Sequence, residues 1–171
     1  MNYDIYGPIS IPHDDGFISK LFQDFWTNHV ETVREGLSRA CGCYVFAVRS
    51  GGGIMPWYVG MNASDGGFRS ECFQTHKLQH YNEALRNYDR GTPVLFLIPR
   101  LTPTRNFASP HEREIEFVET WLMATALRKN PDLKNKRDTG YLRDLHIRGI
   151  FNPAPGEANS ESSLLKGCLG L

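Results

Sequence analysis

A chain of 171 residues can hold one domain with a real core and hardly two. Its 19 basic and 19 acidic residues cancel, so nucleic-acid binding through a general basic excess is excluded and must rest on a local patch. No apolar run approaches the ~20 residues of a membrane span and the start lacks a basic-then-apolar signal, which predicts a cytoplasmic protein without a membrane partner.

Residues 1–16 are rich in turn formers (Pro8, Pro12, Gly16) and read as a loose leader. From Phe17 the apolar residues Leu21, Phe22, Phe25, Val30, Val33 and Leu37 keep near-helical spacing, which predicts a helix ending near Gly36. Two runs of β-branched and aromatic residues follow, Tyr44 to Val48 and Trp57 to Val59. Gly51, Gly52 and Gly53 lie between them, and glycines that tolerate positive φ predict a β-hairpin. Folding about them sets Tyr44 and Tyr58 roughly opposite each other, on one face. Gly42 and Gly60 stand two residues from these tyrosines, where a strand ordinarily carries a side chain.

Asn62 to Gly67 is a polar turn, and Lys77 to Tyr88 reads as a helix with Leu78, Tyr81 and Leu85 on its buried face. Cys72, His76 and His80 would share a face if one helix ran through all three, a spacing that can bind zinc, although no fourth ligand is evident. Histidines that hydrogen-bond or contact phosphate are the other reading. Thr92 to Arg100 is a continuous apolar run and predicts a buried third strand. Ser109, Pro110 and Glu112 form a capping-box pattern for a helix running to about Arg128, with Ile115, Val118, Leu122 and Ala126 as its stripe. Glu119 lies on or beside that stripe, where a carboxylate must be paired, hydrogen-bonded or metal-bound. Basic residues from Arg128 to Arg148, Lys136 and Arg137 among them, form a local cationic stretch or a solvated helix end. Ala154 to Ser163 reads as flexible loop. Cys41, Cys43, Cys72 and Cys168 suggest no disulfide framework.

Gly42-Cys43-Tyr44 with Tyr58-Val59-Gly60 resembles the paired signature of the GIY-YIG nuclease superfamily. The resemblance covers about residues 40 to 136 and extends to two later positions. Glu119 matches the metal-binding glutamate, and Asn135, after Asn130-Pro131, matches the structural asparagine. The superfamily's helical arginine is matched by Arg69 with one residue inserted, and Lys77 is the rival, with Arg86 further off. The resemblance implies a single α+β domain with a small, mainly antiparallel three-stranded sheet flanked by helices. Residues 1–38 would be leader and helix, 39–136 the core and 137–171 an extension. It also implies a DNA endonuclease using Mg²⁺ or Mn²⁺ on Glu119. One of Tyr44 and Tyr58 would assist deprotonation of the attacking water while the other positions it. Arg69 or Lys77 would stabilise the phosphorane, and Asn135 would hold the local geometry. RNA stays open as a substrate, and so does a partner protein or second copy that supplies specificity. The same fold with a crippled site would be a nucleic-acid or protein binding module.

Overall fold

The β-branched and aromatic runs form the longest strands of an antiparallel sheet. A computed structural model describes residues 2–19, 23–135, 139–151 and 156–171. In chain order the strands are β1 (Asn2–Tyr3), β2 (Tyr6–Ser10), β3 (Gly42–Ser50), β4 (Gly53–Asn62) and β5 (Thr92–Leu101). The helices are α1 (Gln23–Phe25), α2 (Gly67–Glu71), α3 (Thr75–Leu85), α4 (Glu112–Lys129), α5 (Thr139–Asp144) and α6 (Ser160–Leu169). The fold is α+β, an antiparallel sheet flanked by helices. Residues 1–135 form one compact unit and 136–171 a second.

The sheet has five strands in place of the expected three. β3 lies between β4 and β5, and the other edge of β5 pairs with β1 and β2. The leader is therefore strand, because Tyr6, Ile9 and Ser10 find the open edge of β5 and Ile9 and Ile11 are buried there. Turn residues predict where a chain bends, not whether the pieces between bends meet a free edge.

The hairpin closes as expected, with Gly51 and Gly52 at the turn and Ser50 opposite Gly53. Between the Phe46–Tyr58 and Ala47–Pro56 pairs one extra residue, Trp57, is accommodated as a bulge. Tyr44 pairs with Gly60, not with Tyr58, so the two phenols are diagonal neighbours on one face, their rings 6.3 Å apart and stacked. Both motif glycines have a packing reason. A Cβ on Gly42, whose φ is +148°, would stand 2.2 Å from the Ile98 carbonyl oxygen. One on Gly60 would stand 2.3 Å from the Tyr44 hydroxyl.

One face of the sheet carries Tyr44, Phe46, Val48, Leu95 and Leu97 into a core shared with Phe25, Leu37, Phe68, Leu78 and Tyr81. On the other, Cys43 and Ile98 meet Ile115 of α4. The expected long helix before β3 is broken. Among described residues it consists of α1, a π-helical turn (Trp26–Val30) and a 3₁₀ turn (Leu37–Arg39); Leu21 and Phe22 lie outside them. Phe25, Val30 and Leu37 are buried as expected, whereas Phe17 and Val33 are exposed.

Helix α4 begins two residues later than its capping pattern suggests. His111 is its N-cap and accepts from the Glu114 N–H. In the second unit α6 replaces part of the expected loop, because Asn159 and Ser162 form a reciprocal capping box. No helix among the described residues is long and apolar enough to cross a membrane.

Candidate functional site

Tyr58 stands midway along β4, half-buried, among side chains from three elements. Its ring stacks on His80 of α3 at 5.9 Å and meets Tyr81 edge-on at 5.8 Å. Burial pushes its phenol up to about 12, and the negative charges of Glu119 on α4 and Glu71 add to the rise. Glu119 also helps raise the Cys43 thiol, whose larger cause is burial. The half-buried Glu119 carboxylate therefore acts electrostatically on both strands of the hairpin. His80 was legible only as a partly buried histidine; its stacking on Tyr58 depends on the angle at which α3 crosses β4.

Tyr44 differs sharply from Tyr58. It is fully buried, and its hydroxyl has no hydrogen-bond partner among the described residues. The Tyr81 hydroxyl near it donates to the Cys72 carbonyl oxygen at 2.9 Å. Burial, then Tyr81, Cys72, Tyr58 and Glu71, push Tyr44 well above the usual phenol range. Desolvation is the largest cause for both phenols, and a lysine lies beside Tyr44.

That lysine is Lys77, 3% exposed, with its ammonium 5.3 Å from the Tyr44 ring centroid. It donates to the Glu71 carbonyl oxygen at 3.1 Å and is ion-paired with the Glu71 carboxylate. Of the two candidate cations, Lys77 is the one beside a tyrosine, but its charge is already engaged. Arg69 is exposed on α2 and lines a separate cleft with Trp26, Arg39 and Phe73, one that neither tyrosine nor Glu119 lines.

Asn135 closes the arrangement. Its amide donates to the Val59 carbonyl oxygen at 2.6 Å, and its carbonyl accepts from the Val59 N–H at 2.9 Å. The Lys134 N–H donates to the Trp57 carbonyl oxygen at 2.8 Å, and Asn130 donates to that of Pro56 at 2.7 Å. The segment after α4 thus covers the open edge of β4 and satisfies backbone groups on both sides of Tyr58.

No family model, curated protein or solved structure matches this chain.

Cys72, His76 and His80 are not on one helix. α2 ends at Glu71 and α3 starts at Thr75, leaving Cys72 in the turn between them. Its thiol is fully buried while His76 is exposed. Among the described residues no group of three or more His, Cys, Asp or Glu side chains is placed to hold a metal ion. A single-carboxylate site for Mg²⁺ is a different case, since that ion keeps most of its waters and needs only one or two carboxylates. Glu119 fits it in donor chemistry: a hard oxygen donor whose field already raises Tyr58 and Cys43.

Proposed function

We propose that this chain is a metal-dependent endonuclease hydrolysing phosphodiester bonds in DNA. The observation that carries this is that a half-buried carboxylate on α4, Glu119, lies near enough to the half-buried Tyr58 phenol on β4 for its charge to add to the rise of that phenol. Support comes also from the double hydrogen bond of Asn135 to Val59, which fixes the backbone beside Tyr58.

With its proton held to about 12, Tyr58 is a neutral phenol at physiological pH. It serves as a hydrogen-bonding group that orients the attacking water and lends its proton to a developing oxyanion. His80, stacked on Tyr58, is the nearer candidate for accepting the water's proton, since imidazole is the commonest general base at neutral pH. Glu119 would hold Mg²⁺ or Mn²⁺, which when bound supplies Lewis-acid stabilisation of the phosphate and leaving oxygens. Lys77 is a positioning residue, its ammonium paired with Glu71 and placed over the Tyr44 ring. Tyr44 is a wall of the site, and Asn135 acts through Val59.

A specific observation favours a second reading, a nucleic-acid or protein binding module that does not cut. Tyr44 is closed off from solvent and the Lys77 charge is engaged by Glu71, so two groups expected at the substrate are withdrawn. Plasmid nicking in Mg²⁺ or Mn²⁺ separates the two. Wild type should nick, while Glu119→Ala and Tyr58→Phe, each folded by circular dichroism, should lose at least about a hundredfold. A wild type that cuts no DNA or RNA substrate leaves only the binding module. Cutting that survives Glu119→Ala removes Glu119 from the site.

A further inference from the structure

The cleft that Arg69 lines holds about 840 Å³, within the range of roughly 300–1,000 Å³ that small-ligand sites occupy. Its cationic rim is built by close backbone approach. Gly67 has φ +65°, and a Cβ there would stand 2.3 Å from the Arg39 carbonyl carbon, so α2 begins directly against Arg39. The Phe68 N–H donates to the Ala40 carbonyl oxygen at 3.1 Å and ties the two segments together. Arg39 and Arg69 both line the cleft, both exposed, and neither side chain is hydrogen-bonded or ion-paired among the described residues. Glu31 lies close enough to Arg39 to feel its charge, but its two oxygens accept from the Gly36 N–H at 2.5 Å and the Ser38 N–H at 3.1 Å. Trp26 and Phe73 form the aromatic side, with ring centroids 5.5 Å apart and planes tilted by 58°. Trp26 opens the π-helical turn, a local geometry found frequently at functional sites.

Two guanidiniums lining one cleft with half-buried aromatic rings suit a ligand that is anionic at one end and flat at the other. We propose that this cleft takes one unpaired nucleotide of a nucleic-acid strand, its phosphate between Arg39 and Arg69 and its base against Trp26 and Phe73. Exposed Glu35 at the same rim offers an acceptor for a base N–H. A base stacked inside a duplex cannot present its face to the rings, so the site selects single-stranded, frayed or flipped nucleotides. This rests on the reading of the chain as directed to nucleic acid, but not on its cutting.

The test is fluorescence anisotropy in EDTA, where hydrolysis does not enter, using labelled single-stranded DNA, single-stranded RNA and the matching blunt DNA duplex. A preference of wild type for the single strands is expected, the DNA and RNA arms showing which sugar is favoured. Arg39→Glu with Arg69→Glu, both surface changes, should weaken single-strand binding at least about tenfold and flatten the log–log salt slope by about 0.7, the share of the one phosphate they hold. Trp26→Leu should weaken it roughly five- to one-hundredfold. A nucleoside monophosphate should compete where inorganic phosphate does not. Equal affinity for duplex and single strand, an unaffected double arginine variant, or no binding at all would overturn the proposal. Single-strand preference lost in the arginine variant, together with no nicking in Mg²⁺, would sustain the cleft while ending the nuclease reading.

Discussion

Four phenols are held protonated by their surroundings: Tyr3, Tyr44, Tyr58 and Tyr81 are all raised, with burial the first cause in each. A group whose folded pKa lies above its unfolded value contributes stability that is complete below the unfolded value, here 10.0, and disappears as pH rises through the folded one. The chain should therefore stay folded to about pH 10 and unfold steeply toward 12, with phenolate absorbance and loss of circular dichroism in a single coincident transition. Independent titration of every tyrosine near 10 in an intact fold would mean the phenols are far more hydrated than their burial implies. Asn135 gives a second test. Asn135→Ala leaves the N–H and carbonyl of Val59 unpaired in a buried place, and each such group costs about 1–3 kcal/mol. Urea unfolding should show a loss of roughly 2–4 kcal/mol, and a loss under about half a kcal/mol would mean water replaces the amide there.

Glycine sets how closely the elements approach. Gly42→Ala places a methyl group against the backbone of β5 at a φ that L residues rarely adopt. Strain and overpacking together should cost roughly 2–5 kcal/mol, read as a lowered urea midpoint with unchanged slope. A neutral substitution would show that β3 and β5 can separate without cost. The hairpin, the third long strand and the last helix of the first unit were legible because their patterns are local: glycines at a turn, a closed apolar run, a stripe at helical spacing. The edge strands were not, since Tyr6 to Ser10 become strand only through the edge of β5. For the site, the adjacency of Tyr44 and Tyr58 followed from the hairpin alone. The burial of Tyr44 did not, because it depends on Phe68, Lys77 and Tyr81 arriving from helices whose packing angles no spacing encodes. Arg69 was legible as a helical cation, but not that it lines one cleft with Arg39.

At the scale of the molecule the decisive number is a formal charge of zero. Nothing steers a polyanion from beyond a Debye length, about 8 Å at physiological salt, so affinity must come from cations in direct contact with phosphate. The basic stretch from Arg128 to Arg148 is divided between the two units. Arg128 and Lys129 occupy the last turn of α4, and the Lys134 ammonium is 3.9 Å from the Glu83 carboxylate and 5.6 Å from the Trp57 ring centroid. Lys136 and Arg137 lie outside the described residues, and Arg143 and Arg148 belong to the second unit. One phosphate held by the two guanidiniums of the cleft and one or two further contacts would give duplex DNA binding a log–log salt slope of about −2 to −3, at roughly −0.9 per phosphate. Plasmid binding followed in EDTA across a range of salt should show that shallow slope, and nicking in Mg²⁺ should be steepest in enzyme concentration rather than in ionic strength. A slope of about −6 or beyond would require many phosphate contacts at once. It would move the DNA-binding surface away from the cleft.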